Sequence, residues 1–239
     1  MTLYIGTSGW AYKEWKPDFY PQDVPQRAFL EFYAQQLTAC EINATFRRMQ
    51  SDETIAKWRD TVPGAFRFST KAHMGLTHSK RLTPPEEKRD FFNAFIKAVS
   101  GLGDKLGVVL WQFPPYRKRD DDDLAGLLEA LHGGPRFALE FRDDSWRSDT
   151  VYRKIADAGG TVCVSETKGE VPGAFPPGPL AYVRMRTARY SDEARDGWLN
   201  LLRDTARDRD VFAFTKHEGI PAGDEHGGIG LAQWLVKEL

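Results

Sequence analysis

Eight short apolar runs alternate with longer amphipathic stretches along the whole chain, and this alternation constrains the fold more than any other feature. Each run has the length and the β-branched or aromatic content of a buried strand. The predicted strands cover residues 3–7, 40–46, 66–71, 106–113, 137–141, 161–165, 180–186 and 211–214. Strands that alternate with helices form βαβ units, which indicates a mainly parallel sheet.

The stretches between the strands have helical spacing of apolar residues, and several carry helix start signals. Ser51 stands directly before an acidic pair and Thr83 before two prolines, as is typical of helix N-termini. The predicted helices cover residues 26–37, 52–61, 85–101, 121–132, 150–158, 191–208 and 231–239. Residues 167–179 are rich in glycine and proline instead, so the sixth helix is predicted to be short or missing.

Eight strand–helix units in 239 residues fit the size of a TIM-type (β/α)8 barrel, predicted here as a single domain over residues 1–239. A doubly wound open sheet is the alternative. It usually carries a G-x-G-x-x-G turn after the first strand, whereas this chain has the sequence GTSGW at residues 6–10. The sequence therefore favours the barrel.

Composition excludes several classes of protein. Hydrophobic residues make up 41% of the chain, enough for a sizeable core, and 33 Lys and Arg against 34 Asp and Glu give a net charge of −1. This balance argues against a surface coated with positive charge for nucleic acid or an anionic membrane. The longest apolar run, residues 106–111, is too short to span a bilayer.

Localisation is predicted from the N-terminus and the cysteines. The first residues lack the basic and long apolar regions of a signal peptide. Cys40 and Cys163 are too few for a disulfide framework or a four-ligand zinc site. We therefore expect a cytoplasmic protein in which both thiols are small buried hydrophobes.

The predicted strands become polar near their carboxyl ends. In a parallel barrel alternate residues face the interior, and reactive groups cluster at these ends. The polar strand-end residues are Glu41, Asn43, Thr45, Ser69, Lys71, His73, Gln112, Glu140, Arg142, Glu166, Arg184, Arg186 and Lys216. Inward charges are costly unless they are paired or hydrated, so the pattern predicts a polar barrel mouth.

Cations outnumber anions at this predicted mouth. The five cations are Lys71, Arg142, Arg184, Arg186 and Lys216, and the three anions are Glu41, Glu140 and Glu166. A cationic concave site in a nearly neutral chain indicates a phosphate or carboxylate ligand. A glycine-rich loop over residues 219–230 supports this, since barrels often bind phosphate after strands seven and eight. The alternative is that these charges form internal ion pairs that only close the barrel.

Three residues are candidates for catalysis. Lys71 is either a nucleophile with a lowered pKa or an anion clamp. Glu41 and Glu140 are candidates for general acid and base, with the alternative that Glu140 holds Arg142 or Arg184 in position.

Further residues are candidates for substrate binding. Besides the strand-end residues, Ser8 is expected to offer a hydroxyl or backbone N–H to an anion. Residues 8–20 hold five aromatic side chains, which we interpret mainly as a small core that seals the rim, with Trp10 kept as a candidate substrate contact. The full predicted binding set is Ser8, Trp10, Asn43, His73, Gln112, Arg142, Arg184, Arg186 and Lys216.

No cofactor or metal is indicated by a motif. The histidines are His73, His78, His132, His217 and His226, and none has H-x-x-x-H, H-x-H or H-E-x-x-H spacing. A G-x-S-x-G elbow and a Walker loop are also missing from the sequence. The predicted site therefore has no metal ligands, and its cofactor is unknown.

Six sequence blocks resemble a known family. They are IGTSGWAYKEWKPDFYP at residues 5–21, EINATF at 41–46, FRFSTKAHMGLTH at 66–78, QFPP at 112–115, EFRDDSW at 140–146 and YVRMR at 182–186. In this order they look like the YecE-like family, also called domain-of-unknown-function family 72. The resemblance covers essentially the whole chain and implies a TIM-type barrel, but it does not imply a particular activity.

Two positions depart from the family pattern. Arg47 follows the second block where a tyrosine is usual, which adds a cation or removes an aromatic ring. Lys216 and His217 stand in the last strand's block where many relatives carry asparagines. Both departures lie beside predicted strand ends.

The sequence thus favours an enzyme that acts on an anionic small molecule, phosphorylated or carboxylated, at the barrel mouth. One alternative is a nucleic-acid-binding or phosphodiester-cleaving protein, and another is a non-catalytic ligand-binding barrel. No membrane partner is expected.

Overall fold

Eight parallel strands close into a barrel in which each strand pairs with the next and the last pairs with the first. The computed structural model describes residues 1–216 and 219–239. The strands are β1 (Leu3–Ser8), β2 (Ala39–Ile42), β3 (Arg67–Lys71), β4 (Leu106–Gln112), β5 (Phe137–Glu140), β6 (Thr161–Glu166), β7 (Leu180–Met185) and β8 (Asp210–Thr215). The predicted TIM-type barrel is confirmed. His217, which the sequence analysis noted beside the end of the last strand, lies outside the described residues.

Helices connect the strands around the outside of the barrel. They are α1 (Phe29–Gln36), α2 (Ala44–Arg47), α3 (Asp52–Thr61), α4 (Met74–Thr77), α5 (Arg89–Ser100), α6 (Asp121–Leu131), α7 (Asp149–Asp157), α8 (Asp192–Thr205) and α9 (Gly228–Glu238). Helix α3 has the predicted bounds because Ser51 caps it, its hydroxyl accepting from the backbone N–H of Thr54. Short 3-10 turns lie at Lys13–Trp15, Gln26–Ala28, Glu86–Lys88, Gly103–Lys105 and Asp144–Trp146.

The predicted second strand is too long. β2 ends at Ile42, and the next residues turn into α2 rather than continuing to Phe46. Within α2 the hydroxyl of Thr45 donates to the carbonyl oxygen of Lys71 at 2.7 Å. Thr45 therefore joins the ends of β2 and β3 instead of facing the barrel mouth.

The predicted loss of the sixth helix is confirmed, because residues 167–179 between β6 and β7 contain no helix. Glu166 organises the start of this connection. Its carboxylate accepts hydrogen bonds from the backbone N–H groups of Lys168, Gly169 and Glu170, and from the hydroxyl of Tyr190. Glu166 was predicted to lie at the mouth, but its carboxylate instead accepts hydrogen bonds from the loop that replaces the sixth helix.

The lower half of the barrel interior is apolar. One buried cluster fills it, made of Tyr4, Ala39, Val108, Leu110, Ala138, Cys163, Leu180, Tyr182, Phe212 and Phe214. The remaining apolar residues of the strands pack outward against the helices in two further clusters. Both cysteines are free and buried, as predicted. Among the described helices, none is long and apolar enough to cross a membrane.

The aromatic first loop packs as a small core of its own. Trp15, Phe19 and Tyr20 are buried, and Tyr20 stacks on Phe29 with 3.8 Å between ring centroids. Gly9 begins the loop with φ +94°, a left-handed conformation that favours glycine. The loop thereby closes over the edge of the barrel beside the end of β1.

Candidate active site at the barrel mouth

The mouth is formed by strand side chains that face the barrel interior and lie above its apolar cluster, which we call the floor. Along β7, Tyr182 belongs to the floor, and Arg184 stands one inward position higher. β2 and β5 supply Glu41 and Glu140 in the same way, and both are essentially inaccessible to solvent. Because the strands are parallel, their carboxyl ends bring these three charged side chains to one level.

Arg184 bridges the two carboxylates. Its Nη2 donates to Oε1 of Glu41 at 2.9 Å, and its Nη1 donates to Oε2 of Glu140 at 3.0 Å. Its side chain is 5% exposed, which makes this a buried ion triad. The two negative charges hold the pKa of Arg184 above its usual value despite the opposing effect of burial. The sequence-level alternative of internal ion pairing is therefore realised for these three residues.

Further donors surround Glu41. The hydroxyl of Tyr182 donates to its Oε2 at 2.8 Å, and the hydroxyl of Ser8 donates to its Oε1 at 2.8 Å. Because the Tyr182 proton is used in this way, Ser69 donates to the Tyr182 oxygen at 2.7 Å. Burial alone would raise the pKa of Glu41, but Arg184 and the two hydroxyls outweigh it and lower that pKa.

Glu140 is held in a comparable way. Nε2 of Gln112 donates to its Oε1 at 2.8 Å, and Nε of the half-exposed Arg142 lies 3.4 Å from the same oxygen. Burial again opposes ionisation, and the nearby Arg184 and Gln112 again outweigh it, so the pKa of Glu140 is lowered. Each oxygen of both carboxylates accepts from at least one donor, which keeps them ionised and makes them weak proton acceptors.

A cavity of about 640 Å³ opens above this triad. Its lining is Tyr12, Asn43, Phe46, Arg47, Lys71, Glu140, Phe141, Arg142, Arg147, Ser165, Thr167, Arg184 and Arg186. The described part of this lining thus carries six cationic side chains and a single carboxylate. Coulomb attraction at such a surface favours negatively charged ligands.

Lys71 contributes an ammonium group to the cavity that has one ring contact. Its ammonium lies 4.0 Å from the ring centroid of Phe46, a cation–π contact. With the residues at 1–216 and 219–239 it makes no hydrogen bond and no ion pair. Burial and the positive charge of Arg184 lower its pKa from 10.5 to about 8, although Glu41 and Glu140 act in the opposite direction.

The structure brings together part of the predicted set. Lys71, Glu140, Asn43, Arg142, Arg184 and Arg186 line the cavity. Glu41, Ser8 and Gln112 lie beneath it as hydrogen-bond partners of these residues. Nη1 of Arg186 donates to the Ser8 hydroxyl at 3.1 Å.

Three predicted residues are placed elsewhere. Trp10 packs edge-on against Trp58, with 5.6 Å between ring centroids, and belongs to the rim core. His73 caps α4, its Nδ1 accepting from the N–H of Gly75, so it follows the end of β3 instead of extending it. Lys216 follows β8 but is not among the described residues that line the cavity.

Other lining residues were missed by the sequence analysis. Ser165 has the inward parity of β6, so the rule that identified Lys71 also applies to it. Arg147 follows the turn at Asp144–Trp146 and has no periodicity that would reveal it. His78 packs edge-on against Phe46, and its pKa is lowered by burial and by the charge of Lys71. Arg47 was noticed as an added cation, and it lines the cavity.

No group of three or more His, Cys, Asp or Glu side chains within the described ranges has the arrangement needed for a metal ion. In the mouth, the carboxylates of Glu41 and Glu140 both pair with Arg184.

The fold and the mouth together define a TIM-barrel protein with a cationic cavity at the carboxyl ends of its strands. Residues 4–224 match the family described as "Protein of unknown function DUF72", and the chain belongs to this family. The UPF0759 protein YunF of Bacillus subtilis (strain 168) is 30% identical over 209 residues, which cover 82% of this chain and 72% of YunF.

Solved structures share the fold at low identity. A DUF72 family protein from Thermotoga maritima MSB8 is 22% identical with a TM-score of 0.76, covering 99% of this chain and 98% of that one. A D-psicose 3-epimerase from Clostridium cellulolyticum H10, crystallised with D-tagatose, is 13% identical with a TM-score of 0.56, covering 98% and 90%. These likenesses are of fold alone.

Proposed function

We propose that the protein is an enzyme that acts on a small anionic molecule, phosphorylated or carboxylated, bound in the mouth cavity. The observation that carries the proposal is the concentration of six cationic side chains around one cavity in a chain of net charge −1. Guanidinium and ammonium groups bind phosphate and carboxylate through charge-assisted hydrogen bonds. Barrels of this type commonly host catalysis at this end, which favours an enzyme by analogy of fold.

The cations divide into a fixed group and an available group. Arg184 is occupied by Glu41 and Glu140, so it contributes a fixed positive charge at the base of the cavity. Arg142 is half-exposed at the rim, with only a long contact to Glu140. Arg142 and Lys71 are therefore the residues proposed to contact the anion, and Arg186, which donates to the Ser8 hydroxyl, adds its charge to the same cavity.

Lys71 has two roles in this proposal. In its protonated form it holds the anion as a point charge. With a pKa of about 8, roughly a tenth of it is neutral at pH 7, and a neutral amine can attack a carbonyl carbon of the ligand. Glu41 and Glu140 then orient Arg184 and leave proton transfer to other groups.

A thermal-shift titration tests the proposal. Inorganic phosphate, glucose 6-phosphate and succinate are expected to raise the Tm of the wild type, because ligands that bind the native state stabilise it by mass action. Lys71→Met and Arg186→Met should each reduce this shift. Lys97→Met is the matched control, since Lys97 is exposed on α5 and does not line the mouth cavity.

The other outcomes separate the alternatives. An absence of any shift with all three anions would contradict the proposal and leave the charges as internal pairs. Stabilisation by a short oligonucleotide alone, with affinity that falls steeply with salt, would favour a nucleic-acid protein. Tight binding of a small anion without turnover of any carbonyl or phosphate ester would favour a non-catalytic barrel.

A further inference from the structure

The barrel is closed, but the pairing between β5 and β6 is the shortest of its eight strand pairings. These strands pair only at Ala138 with Thr161 and at Leu139 with Val162. Beyond Val162, β6 continues beside β7 as far as Glu166. β5 remains paired with β4 up to its last residue. β5 ends at Glu140, one position beyond the last of these pairs, so β6 has no β5 neighbour from Val164 onward, and Ser165 is exposed in this gap.

Helix α7, which connects β5 to β6, packs against β6 beside this gap. The connection at residues 167–179 takes the place of the sixth helix, and Glu166 holds its first turn through three backbone N–H groups. Thr187 and Tyr190 fix the same carboxylate from the following loop through their hydroxyl groups. The opening is thus a built feature of the barrel.

A second cavity of about 420 Å³ lies outside the gap, and we name it the lateral cleft. The lateral cleft shares four lining residues with the mouth cavity, namely Phe141, Arg147, Ser165 and Thr167. The two cavities therefore meet at these side chains.

The chemistry changes along this path. Away from the mouth, the partly exposed apolar walls of the cleft are Tyr152, Val164, Val171, Pro172 and Pro176, and the exposed charged side chains of Lys168 and Glu170 also line it. At the junction, Phe141 stacks on the buried Trp146 with 4.1 Å between ring centroids, which fixes a flat aromatic surface. Arg147 places a cation at the same junction.

We infer that the ligand is an amphipathic anion, whose phosphate or carboxylate binds in the mouth and whose apolar chain or ring passes through the β5–β6 gap into the lateral cleft. The inference rests on the proposed function, because the mouth must bind the anionic group. It adds the class of the ligand. A small hydrophilic anion uses the mouth and leaves the apolar cleft unoccupied.

A series of alkyl phosphates and matching alkyl carboxylates tests the inference by calorimetric titration. Methyl, butyl and hexyl members are expected to bind with rising affinity, by about fourfold for each methylene that enters the cleft. The carboxylates show which anionic group the mouth prefers. Both series lie below the chain length at which such compounds form micelles readily.

Val164→Trp is the variant that should fill the cleft. Val164 faces outward on β6 and lines the cleft but not the mouth cavity, so the affinity for methyl phosphate should be retained while the gain with chain length is lost. Val236→Trp, a partly exposed position on α9, is the matched control and should keep the gain. Tyr152→Ser, which removes one apolar wall without adding bulk, should reduce the gain.

The outcomes distinguish this inference from the proposed function. If methyl phosphate and acetate do not bind the wild type, both fail. If they bind but affinity is flat along the series, or if Val164→Trp keeps the full gain, only the amphipathic ligand is contradicted. A concentration-dependent dimer that Val164→Trp abolishes would assign the cleft to a second copy of the chain and would also overturn the inference.

Discussion

At the scale of single residues, Arg184 is the centre of the mouth. It supplies the only positive charge within hydrogen-bond distance of Glu41 in the described structure, and it also neutralises Glu140. A buried charge that loses its partner is far more costly than an exposed one, because no water replaces the lost interaction. The stability of the barrel mouth therefore depends on this guanidinium.

Arg184→Met is expected to lower the free energy of unfolding by about 3–5 kcal/mol, since two buried carboxylates lose their counter-ion. Urea denaturation measures this change. Arg142→Met is the matched control, and because Arg142 is half-exposed its loss should cost no more than about 1 kcal/mol. Equal effects of the two substitutions would contradict the central position of Arg184.

The free energy of unfolding of Arg184→Met should change with pH in the opposite direction to that of the wild type. In the wild type both carboxylates have pKa values below the usual 4.5, so their stabilising effect is present above that pH and is lost as pH falls below it. Without Arg184, burial raises both pKa values. Acidification from about pH 7 to about pH 5 should then stabilise Arg184→Met relative to the wild type.

Lys71 is expected to reduce stability. Its pKa of about 8 in the folded protein lies below its usual 10.5, so the folded state disfavours the charged form. Lys71→Met should therefore raise the free energy of unfolding by about 1–3 kcal/mol. The gain should be present below pH 8 and should shrink as pH rises toward 10.5, because the wild type alone gains stability in that window.

Urea denaturation at several pH values checks this prediction, with the exposed Lys97→Met as the control that should change little. A loss of stability in Lys71→Met at neutral pH would show that the contact with Phe46 outweighs burial and repulsion. A gain, together with loss of anion binding, would identify a side chain that serves ligand binding at the expense of stability.

At the scale of elements, Asp123 in the first turn of α6 anchors the segment that follows α4. Its carboxylate accepts from the backbone N–H groups of Leu82, at 2.6 Å, and Thr83, at 3.0 Å. Leu82 is buried, so its N–H has no access to water. One side chain therefore joins the loop after β3 to the helix after β4.

Asp123→Ala is expected to lower the free energy of unfolding by about 1–3 kcal/mol, because it leaves backbone donors unsatisfied. Asp122→Ala is the matched control, since Asp122 is exposed in the same helical turn and shares any helix-dipole effect. The pKa of Asp123 lies below the usual 3.8, so the difference between the variants should vanish as pH falls below that value. Chemical denaturation of both variants measures this difference, and equal losses would contradict the anchoring role.

Sequence periodicity is informative for elements that are long enough to show it. The strand order, the bounds of α3 and the missing sixth helix follow from residue patterns that local forces determine. The end of β2 does not, because α2 has only four residues and depends on Thr45 reaching the carbonyl oxygen of Lys71 on another strand. A contact between residues this far apart in the chain leaves no local pattern.

The same limit applies to the candidate site. Inward parity correctly places Lys71, Glu140 and Arg184 at one mouth, but parity cannot show that Arg184 is shared by two carboxylates. It also fails where a strand ends early, since β3 ends at Lys71 and His73 then caps α4. Burial, pairing and the position of strand ends are properties of the assembled barrel.

At the scale of the whole molecule, charge is distributed unevenly. The net charge is −1, yet the mouth cavity gathers six cationic side chains, so the remaining surface is net negative. Such a distribution directs anions toward the mouth and repels them elsewhere, an effect that falls with ionic strength.

The connection at residues 167–179 is a part of the protein whose sequence can change while the barrel is retained. The carboxylate of Glu166 holds its first turn and the guanidinium of Arg209 donates to carbonyl groups near its end, and it forms one wall of the lateral cleft without contributing a strand or helix to the barrel. Substitutions or insertions beyond Gly169 can reshape that wall while the eight strands and the ion triad stay intact. Divergence in ligand preference among related barrels would accordingly accumulate in this segment, and ancestral-sequence reconstruction would find specificity changing there first.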